Sequence, residues 1–170
     1  MEMQVRDEEP DDAAAVRMVN EAAFGRPDEA NLVVALQQAE AVICSLVVET
    51  EGQVAGHVMF SPAALDSHSD RRIIAALGPV AVLPERQGRG AGTALIRAGL
   101  ERCRAAGYDL AIVLGHPGYY PRFGFRPSAP LGIRWERDVP DEVFMVAELK
   151  PGALEGARGV VRYHPAFEGV

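Results

Sequence analysis

Residues 84–95, PERQGRGAGTAL, place three glycines at alternate positions, with arginines around them, directly before an apolar helical run. A helix N-terminus binds anions readily, because its first backbone N–H groups lack intrahelical partners and carry a partial positive charge. Glycine lets a phosphate group approach the backbone because it has no Cβ. Together with Arg86 and Arg89, these features predict a phosphate-binding loop. The alternative is a tight strand-to-helix turn that needs glycine for its geometry alone.

Two well-known phosphate-binding loops do not fit this stretch. A P-loop ends in Gly-Lys-Ser/Thr, whereas this loop ends in Gly92-Thr93 and has no lysine. A Rossmann fingerprint needs a third glycine where Thr93 stands, and an acidic residue at the end of the next strand. Asp109 instead precedes that strand. The sequence therefore argues against a nucleotide-binding oxidoreductase.

The apolar residues on either side of the loop alternate between strand and helix periods. In chain order they predict a strand at 3–8, helices at 11–24 and 28–39, a β-hairpin at 44–65, two strand segments at 71–83, a helix at 92–107, a buried strand at 108–114, a late strand at 142–149 and a final edge strand within 156–167. Because proline cannot donate to a sheet ladder, a bulge or splay is expected at Gly78-Pro79. The order indicates a mixed α/β fold.

Composition limits the classes of protein to which the chain can belong. Its 170 residues, 48% hydrophobic, suit one globular domain, and no apolar run approaches the roughly 20 residues of a membrane span. The formal net charge of -7 argues against a general nucleic-acid binder, which needs a basic surface. The acidic start, MEMQVRDEEPDD, lacks the apolar core of a signal peptide. Cys44 and Cys103 lie far apart, which favours reduced core thiols and a cytoplasmic location.

The segment VAVLPERQGRGAG resembles motif A of the GNAT superfamily of acyl-CoA-dependent N-acyltransferases. The family signature Gln/Arg-x-x-Gly-x-Gly/Ala falls on Gln87, Gly90 and Gly92. A second family segment, Tyr-x-x-x-Gly-Phe, is similar to YPRFGF at 120–125. The two segments together resemble an uncharacterised bacterial subgroup of the superfamily. The resemblance implies a GNAT domain over residues 1–150, and residues 151–170 are expected to add an edge strand to it.

The resemblance also implies a fold and a cosubstrate. The fold would be a central mixed, mostly antiparallel sheet flanked by helices and splayed between its two central strands. Acetyl-CoA would lie in the splay, with its pantetheine arm paired to the backbone of Val80 and Val82, and Ala81 between them would belong to the same cofactor site. Its pyrophosphate would be held by the amides of Gln87, Gly88, Arg89, Gly90, Ala91, Gly92 and Thr93. Arg86, Arg89 or Arg97 would reach the outer phosphates, unless these arginines are solvated surface residues.

Catalysis in the family implies an amine that attacks the thioester directly and a proton donor for the leaving thiolate. By its position in the second motif, Tyr120 is the expected general acid. Pro121 pushes Tyr120 out of helical geometry, which departs from most relatives and keeps Tyr119 as a reserve candidate. For the base, His57 and His116 are candidates, although each also fits an ordinary core or turn histidine. The sequence names no convincing base.

Partners and ligands follow from the same reasoning. Four histidines, at 57, 68, 116 and 164, have no ligand spacing, so no metal is expected. The expected partners are acetyl-CoA and an amine on a small molecule, peptide or protein, with no nucleic acid and no membrane, in a monomer or homodimer. Residues 22–37 and 130–142 are the expected walls of the acceptor site. The alternative function is a domain that binds acyl-CoA or CoA without turnover, as a sensor or interaction module.

Overall fold

The structure is a computed structural model that describes residues 2–67 and 70–170. Met1, His68 and Ser69 lie outside the described residues, so the interpretation of His68 is not addressed by it. The strands are β1 (Met3–Asp7), β2 (Cys44–Thr50), β3 (Gln53–Asp66), β4 (Ile74–Val82), β5 (Leu110–Leu114), β6 (Arg126–Pro127), β7 (Ile133–Trp135), β8 (Phe144–Glu148) and β9 (Gly159–Arg162). The helices are α1 (Ala13–Phe24), α2 (Asp28–Gln38) and α3 (Ala91–Ala105).

The main sheet has the strand order β1-β2-β3-β4-β5-β8-β6. All of its neighbouring pairs are antiparallel except β4 and β5, which run parallel. A parallel pair needs a crossover connection, and α3 supplies it between β4 and β5. The expected mixed, mostly antiparallel sheet flanked by helices is therefore confirmed.

The two central strands separate after a short stretch of pairing. The β4–β5 ladder joins residues 74–76 to residues 110–112 and ends there in the described chain. On the other side of β4, the register with β3 shifts between Val58 and Phe60, opposite the cis peptide Gly78-Pro79. Residues 74–82 form one strand, so the two strand segments expected for this region are wrong. The irregularity expected at Gly78-Pro79 is present, and the backbone of β4 beyond Ala76 has no β5 partner.

Helices cover both faces of the sheet, as the alternation of the strands requires. On one face Leu95, Ile96 and Leu100 of α3 pack against strand residues such as Val58 and Phe60. The other face packs against α1 and α2. No helix within residues 2–67 and 70–170 combines the length and the apolar character that a membrane span requires.

The C-terminal part differs from the sequence expectation. β9 forms, but it pairs with β3 on one side and with β7 on the other, so its expected position as an edge strand is wrong. The short strands β6 and β7 were not expected. After β9 a 3-10 turn at Pro165–Gly169 returns the chain towards α2, and Phe167 packs against the cluster that contains Leu32 and Leu36.

Candidate active site

A polar cavity of about 540 Å³ lies at the glycine loop. Its lining combines the end of β4, the loop, the first turn of α3 and a tyrosine-containing turn. The lining residues are Val80, Val82, Arg86, Gln87, Gly88, Gly90, Ala91, Gly92, Thr93, Ile96, Tyr119 and Arg122. Nine of these twelve belong to the cosubstrate site expected from the sequence, which shows that the structure brings the expected residues together around one space.

The backbone of the loop leaves its amides available to a ligand. Gly88 and Gly90 have φ of +76° and +91°, a left-handed conformation that side chains disfavour. Gly90 precedes the first residue of α3, and its carbonyl accepts the N–H of Ala94 at 3.0 Å. The N–H groups of residues 88–93 have no backbone acceptor among the described residues. Loop and helix end therefore form a cradle suited to an anion.

Two expected cosubstrate residues do not line this cavity. Ala81 is 2% exposed and lies opposite His57 in β3, because alternation along β4 places it on the opposite face from Val80 and Val82. Arg89 is exposed outside the lining. Of the other arginines considered, Arg86 lines the cavity and forms an ion pair with Glu51 at 3.2 Å. Arg97 is exposed on α3, with its guanidinium 5.9 Å from the centre of the Phe123 ring.

Arg122 is a residue of this cavity that the sequence reasoning missed. Its guanidinium lies 4.4 Å from the centre of the Tyr119 ring, and its Nε donates to the Tyr119 carbonyl at 2.8 Å. The Tyr119 hydroxyl lies 3.3 Å from Thr93 Oγ1 in the first turn of α3. Arg122 lies within YPRFGF, so the motif contained a signal, but only the fold shows that this cation faces the glycine loop.

A second cavity, of about 420 Å³, adjoins the first at Val80, which lines both. Its walls come from five segments: residues 24–32, 77–80, 113–120, 135–137 and 163–170. The first and fourth segments fall in the two regions expected to form the acceptor site. The last segment was not expected, because no local pattern in residues 163–170 indicates that they return to α2. The second cavity opens where β4 and β5 have separated.

Tyr120 lines the second cavity and is 8% exposed. It begins a 3-10 turn at Tyr120–Phe123 rather than a helix, as Pro121 predicts. Burial, followed by the proximity of Tyr119, raises the pKa of Tyr120 to about 12. Its phenol therefore stays protonated, as a hydrogen-bond donor, throughout the physiological range. The Tyr120 ring occupies the space beside Gly115, where a Cβ would overlap it.

The second cavity also contains a buried carboxylate that the sequence reasoning did not single out. Glu29 of α2 is 5% exposed and lines the cavity. Arg26 binds it through two hydrogen bonds, of 2.9 Å from Nε and 2.5 Å from the terminal nitrogen. A carboxylate has about four acceptor positions, so two remain after this bidentate pairing. Glu29 is thus a charged group with spare acceptor capacity at the cavity wall.

The opposite wall is aromatic. Trp135 stacks on Phe144, with ring centres 5.9 Å apart, and the Arg137 guanidinium lies 5.4 Å from the centre of the Trp135 ring. Tyr163 contacts both Trp135 and Phe167, with ring centres 5.8 and 4.8 Å apart. Burial and then the nearby Tyr120 raise the pKa of Tyr163. The Trp135 Nε1 and Tyr163 hydroxyl are buried and have no hydrogen-bond partner among the described residues.

His57, one of the reserve residues, lies outside both cavities. It is fully buried, with Ser45 Oγ 2.8 Å from its Nε2 and Asn20 Nδ2 3.2 Å from its Nδ1. Ser45 in turn donates to Glu8 Oε1 at 2.5 Å. Desolvation lowers the pKa of His57 to about 4. The arrangement is that of a neutral core histidine within a closed hydrogen-bond chain.

The remaining reserve residue, His116, is exposed and lines neither cavity. Its Nδ1 accepts the N–H of Gly118 at 3.1 Å, an interaction that stabilises the turn.

Cys44 and Cys103 are both buried and free. Among the described residues there is no cluster of three or more His, Cys, Asp or Glu side chains that could hold a metal ion.

Comparisons with known sequences give a consistent result. The family model described as acetyltransferase (GNAT) domain matches residues 4–128. The uncharacterized N-acetyltransferase YjhQ of Escherichia coli K12 is 42% identical over 120 residues, which is 69% of this chain and 66% of that relative. The uncharacterized N-acetyltransferase YhbS of the same strain is 33% identical over 166 residues, which is 97% of this chain and 98% of YhbS.

Solved structures show the same fold with bound ligands. The structure of Escherichia coli YhbS in complex with CoA superimposes with a TM-score of 0.90 at 32% identity, covering 97% of this chain and 91% of that one. A GNAT family acetyltransferase from Brucella melitensis in complex with acetyl-CoA gives a TM-score of 0.81 at 40% identity, covering 98% of this chain and 99% of that one.

Proposed function

Because this chain belongs to the GNAT family of acetyltransferases, we propose that it transfers the acetyl group of acetyl-CoA to a primary amine. The observation that carries the proposal is the pair of adjoining cavities where β4 leaves β5. One cavity has the backbone donors that a pyrophosphate needs, and the other has a phenol at its wall. The similar structures from Escherichia coli and Brucella melitensis hold CoA and acetyl-CoA, which supports the same class of cosubstrate here.

Acetyl-CoA would occupy the cavity at the glycine loop. Its pyrophosphate would accept hydrogen bonds from the amides of residues 88–93, where Gly90 and Gly92 leave room beside the backbone. Arg86 and Arg122, which both line the cavity, would supply positive charge. The pantetheine arm would run along β4, whose backbone beyond Ala76 has no partner in β5, and would pair with it as an added strand.

The acceptor would enter the second cavity as an amine. A primary amine with a pKa of about 10.4 is mostly protonated at pH 7, and exposing its neutral form costs roughly 4–5 kcal/mol. After the nitrogen loses a proton to water, its lone pair attacks the thioester carbon. A C–N bond forms, the C–S bond breaks, and the thiolate of CoA leaves. The nitrogen then gives up its second proton, which restores charge balance.

Tyr120 would donate the hydrogen bond that stabilises the leaving thiolate. Its pKa of about 12 keeps the hydroxyl protonated throughout the physiological pH range. The same elevated pKa disfavours complete transfer of that proton to a thiolate, whose own pKa is about 8.5 for a cysteine-like thiol. Tyr120 therefore acts mainly by donating a hydrogen bond in the transition state, and the thiol takes its final proton from solvent.

Two measurements test the proposal. Calorimetry with acetyl-CoA and CoA determines binding, and thiol release from acetyl-CoA with a panel of primary amines determines turnover. We expect binding of both ligands and amine-dependent release of thiol. Binding without release in the presence of any amine would indicate the alternative function, a CoA-binding sensor. No binding of either ligand would overturn the assignment of the loop as well.

A further inference from the structure

We infer that the acceptor is a small primary amine with an aromatic or branched aliphatic body, which binds in the second cavity as an ammonium ion at Glu29 and loses a proton before it attacks the thioester. This inference rests on the proposed acetyl transfer and specifies its acceptor. Three observations carry it: the volume of the cavity, its apolar lining, and the position of its one buried carboxylate among the described lining residues.

The volume of the cavity suits a small acceptor. The cavity is bounded by α1–α2, by the separated strands β4 and β5, by the segment after β7 and by the C-terminal turn. The C-terminal turn extends to α2, where Phe167 packs beside Leu32. A volume of about 420 Å³ falls within the range of about 300–1,000 Å³ that small-molecule sites occupy.

The lining selects an apolar carbon skeleton. Phe24, Leu32 and Leu114 line the cavity from three different elements, and Trp135 and Phe167 add aromatic faces. Phe24 and Leu114 are 40% and 42% exposed, so large apolar surfaces remain accessible there. An apolar amine that covers these side chains gains about fourfold in affinity for each methylene group it buries. A polyamine would instead have to place a second ammonium group against this lining.

The charged side chains of the second cavity favour an acceptor that carries one positive charge. Glu29 is held by Arg26 on one side and keeps acceptor positions on the other. Glu136, Glu168 and Arg137 also line the cavity, and Glu136 forms an ion pair with Arg162 at 3.6 Å. Because Arg26 pairs with Glu29 and Arg162 pairs with Glu136, the attraction for an ammonium group depends on the acceptor positions that Glu29 keeps. Glu29 is the member of this set that is 5% exposed, so its attraction for an ammonium group is the least screened.

A panel of acceptors tests the inference at saturating acetyl-CoA. The panel contains 3-methylbutylamine, 2-phenylethylamine, spermidine and a short lysine-containing peptide, and the readout is kcat/KM for thiol release. We expect the two apolar amines to exceed spermidine and the peptide by at least about tenfold. Preference for spermidine or the peptide would overturn the inference and leave the proposed acetyl transfer standing. No release with any amine would overturn the proposed function, and the inference with it.

Variants of the wall test the two contacts separately. Phe24→Ala should raise KM for 2-phenylethylamine by about fourfold or more, whereas Met18→Ala, which removes a 55% exposed side chain from the same helix outside the cavity, should not. Glu29→Gln should raise KM for the amine and leave the dissociation constant of acetyl-CoA unchanged. Its control is Glu21→Gln, at an exposed carboxylate that lines neither cavity. If Phe24→Ala gives the same amine KM as Met18→Ala, the apolar contact is wrong. If Glu29→Gln gives the same amine KM as Glu21→Gln, the contact with the ammonium group is wrong.

Discussion

Tyr119 and Tyr120 are neighbours in the chain, yet they line different cavities. Their rings meet edge to face, with centres 5.1 Å apart and planes at 80°. Tyr119 directs its hydroxyl to Thr93 at the first turn of α3, whereas Tyr120 lies at the wall of the second cavity. The pair thus stands between the space suited to an anionic cosubstrate and the space suited to an amine.

This division gives different expectations for the two hydroxyl groups. Tyr120→Phe should lower kcat by about 10²-fold or more, because it removes the hydroxyl group that we propose as hydrogen-bond donor to the leaving thiolate. The dissociation constant of acetyl-CoA should stay within about threefold of the original value. Steady-state kinetics and calorimetry measure the two quantities. Tyr119→Phe is the matched variant and should affect acetyl-CoA binding more than kcat; full turnover in Tyr120→Phe would exclude the donor role.

Two substitutions at Gly92 test whether the size of the side chain at this turn limits CoA binding. A Cβ at Gly92 would lie 3.4 Å from the Tyr119 hydroxyl and 3.7 Å from a Val82 methyl carbon, which is ordinary contact. Gly92→Ala should therefore leave CoA affinity nearly unchanged, as the Gly/Ala alternative of motif A also suggests. Gly92→Val adds two methyl groups to the cavity and should weaken CoA binding by at least about tenfold. Equal affinities in the two variants, measured by calorimetry, would contradict a ligand position at this turn.

Local signals account for what the sequence predicted well. The loop and α3 follow from glycine spacing and a helical apolar stripe, so most of the expected cosubstrate residues lie around one cavity. Ala81 is the instructive exception: the alternation of β4 places its side chain on the opposite face from Val80 and Val82. The direction of a strand residue depends on register, which the sequence of a continuous apolar run does not reveal.

The second cavity was less predictable because its walls depend on distant contacts. β7 has three residues and pairs with β9, some 25 positions later, so neither strand has a strong local pattern. The return of Phe167 to α2 likewise joins segments far apart in sequence. In the sequence, Glu29 cannot be distinguished from any acidic residue in the first turn of a helix. It lines a cavity because of the way α2 packs in the fold.

The buried His57 predicts a pH dependence of stability. Its pKa falls from the ordinary 6.5 to about 4 in the folded protein, so the unfolded chain binds more protons between these values. The stabilising effect of its neutral form is complete above about pH 6.5 and decreases as the pH falls to about 4, by roughly 3 kcal/mol in total. Arg6 lowers the pKa of Asp12 to about 2, so protonation of Asp12 reduces the stability only below this window.

Urea unfolding between pH 4 and 7 measures the effect. In His57→Gln the free energy of unfolding should vary less with pH across this window, whatever its absolute value. His116→Gln removes an exposed histidine and should keep the original slope. The groups that face His57 are Ser45, Asn20 and Glu8, the last with Oε1 3.8 Å from Nε2. An unchanged slope in His57→Gln would show that His57 does not cause the pH dependence.

The close approach of Gly99 to Phe60 predicts that Gly99→Ala destabilises the protein, although the same change would stabilise an exposed helix. In an exposed helix interior, alanine is more favourable than glycine by about 1 kcal/mol. At Gly99 a Cβ would overlap three carbons of the Phe60 ring, so Gly99→Ala should instead destabilise the fold by about 1–3 kcal/mol. Thermal unfolding should show a lower Tm for this variant. Phe60→Leu should lower the free energy of unfolding less in the Gly99→Ala background than in the original protein, because the smaller side chain relieves the overlap. Additive effects of the two substitutions would show that the helix and the ring do not compete for this space.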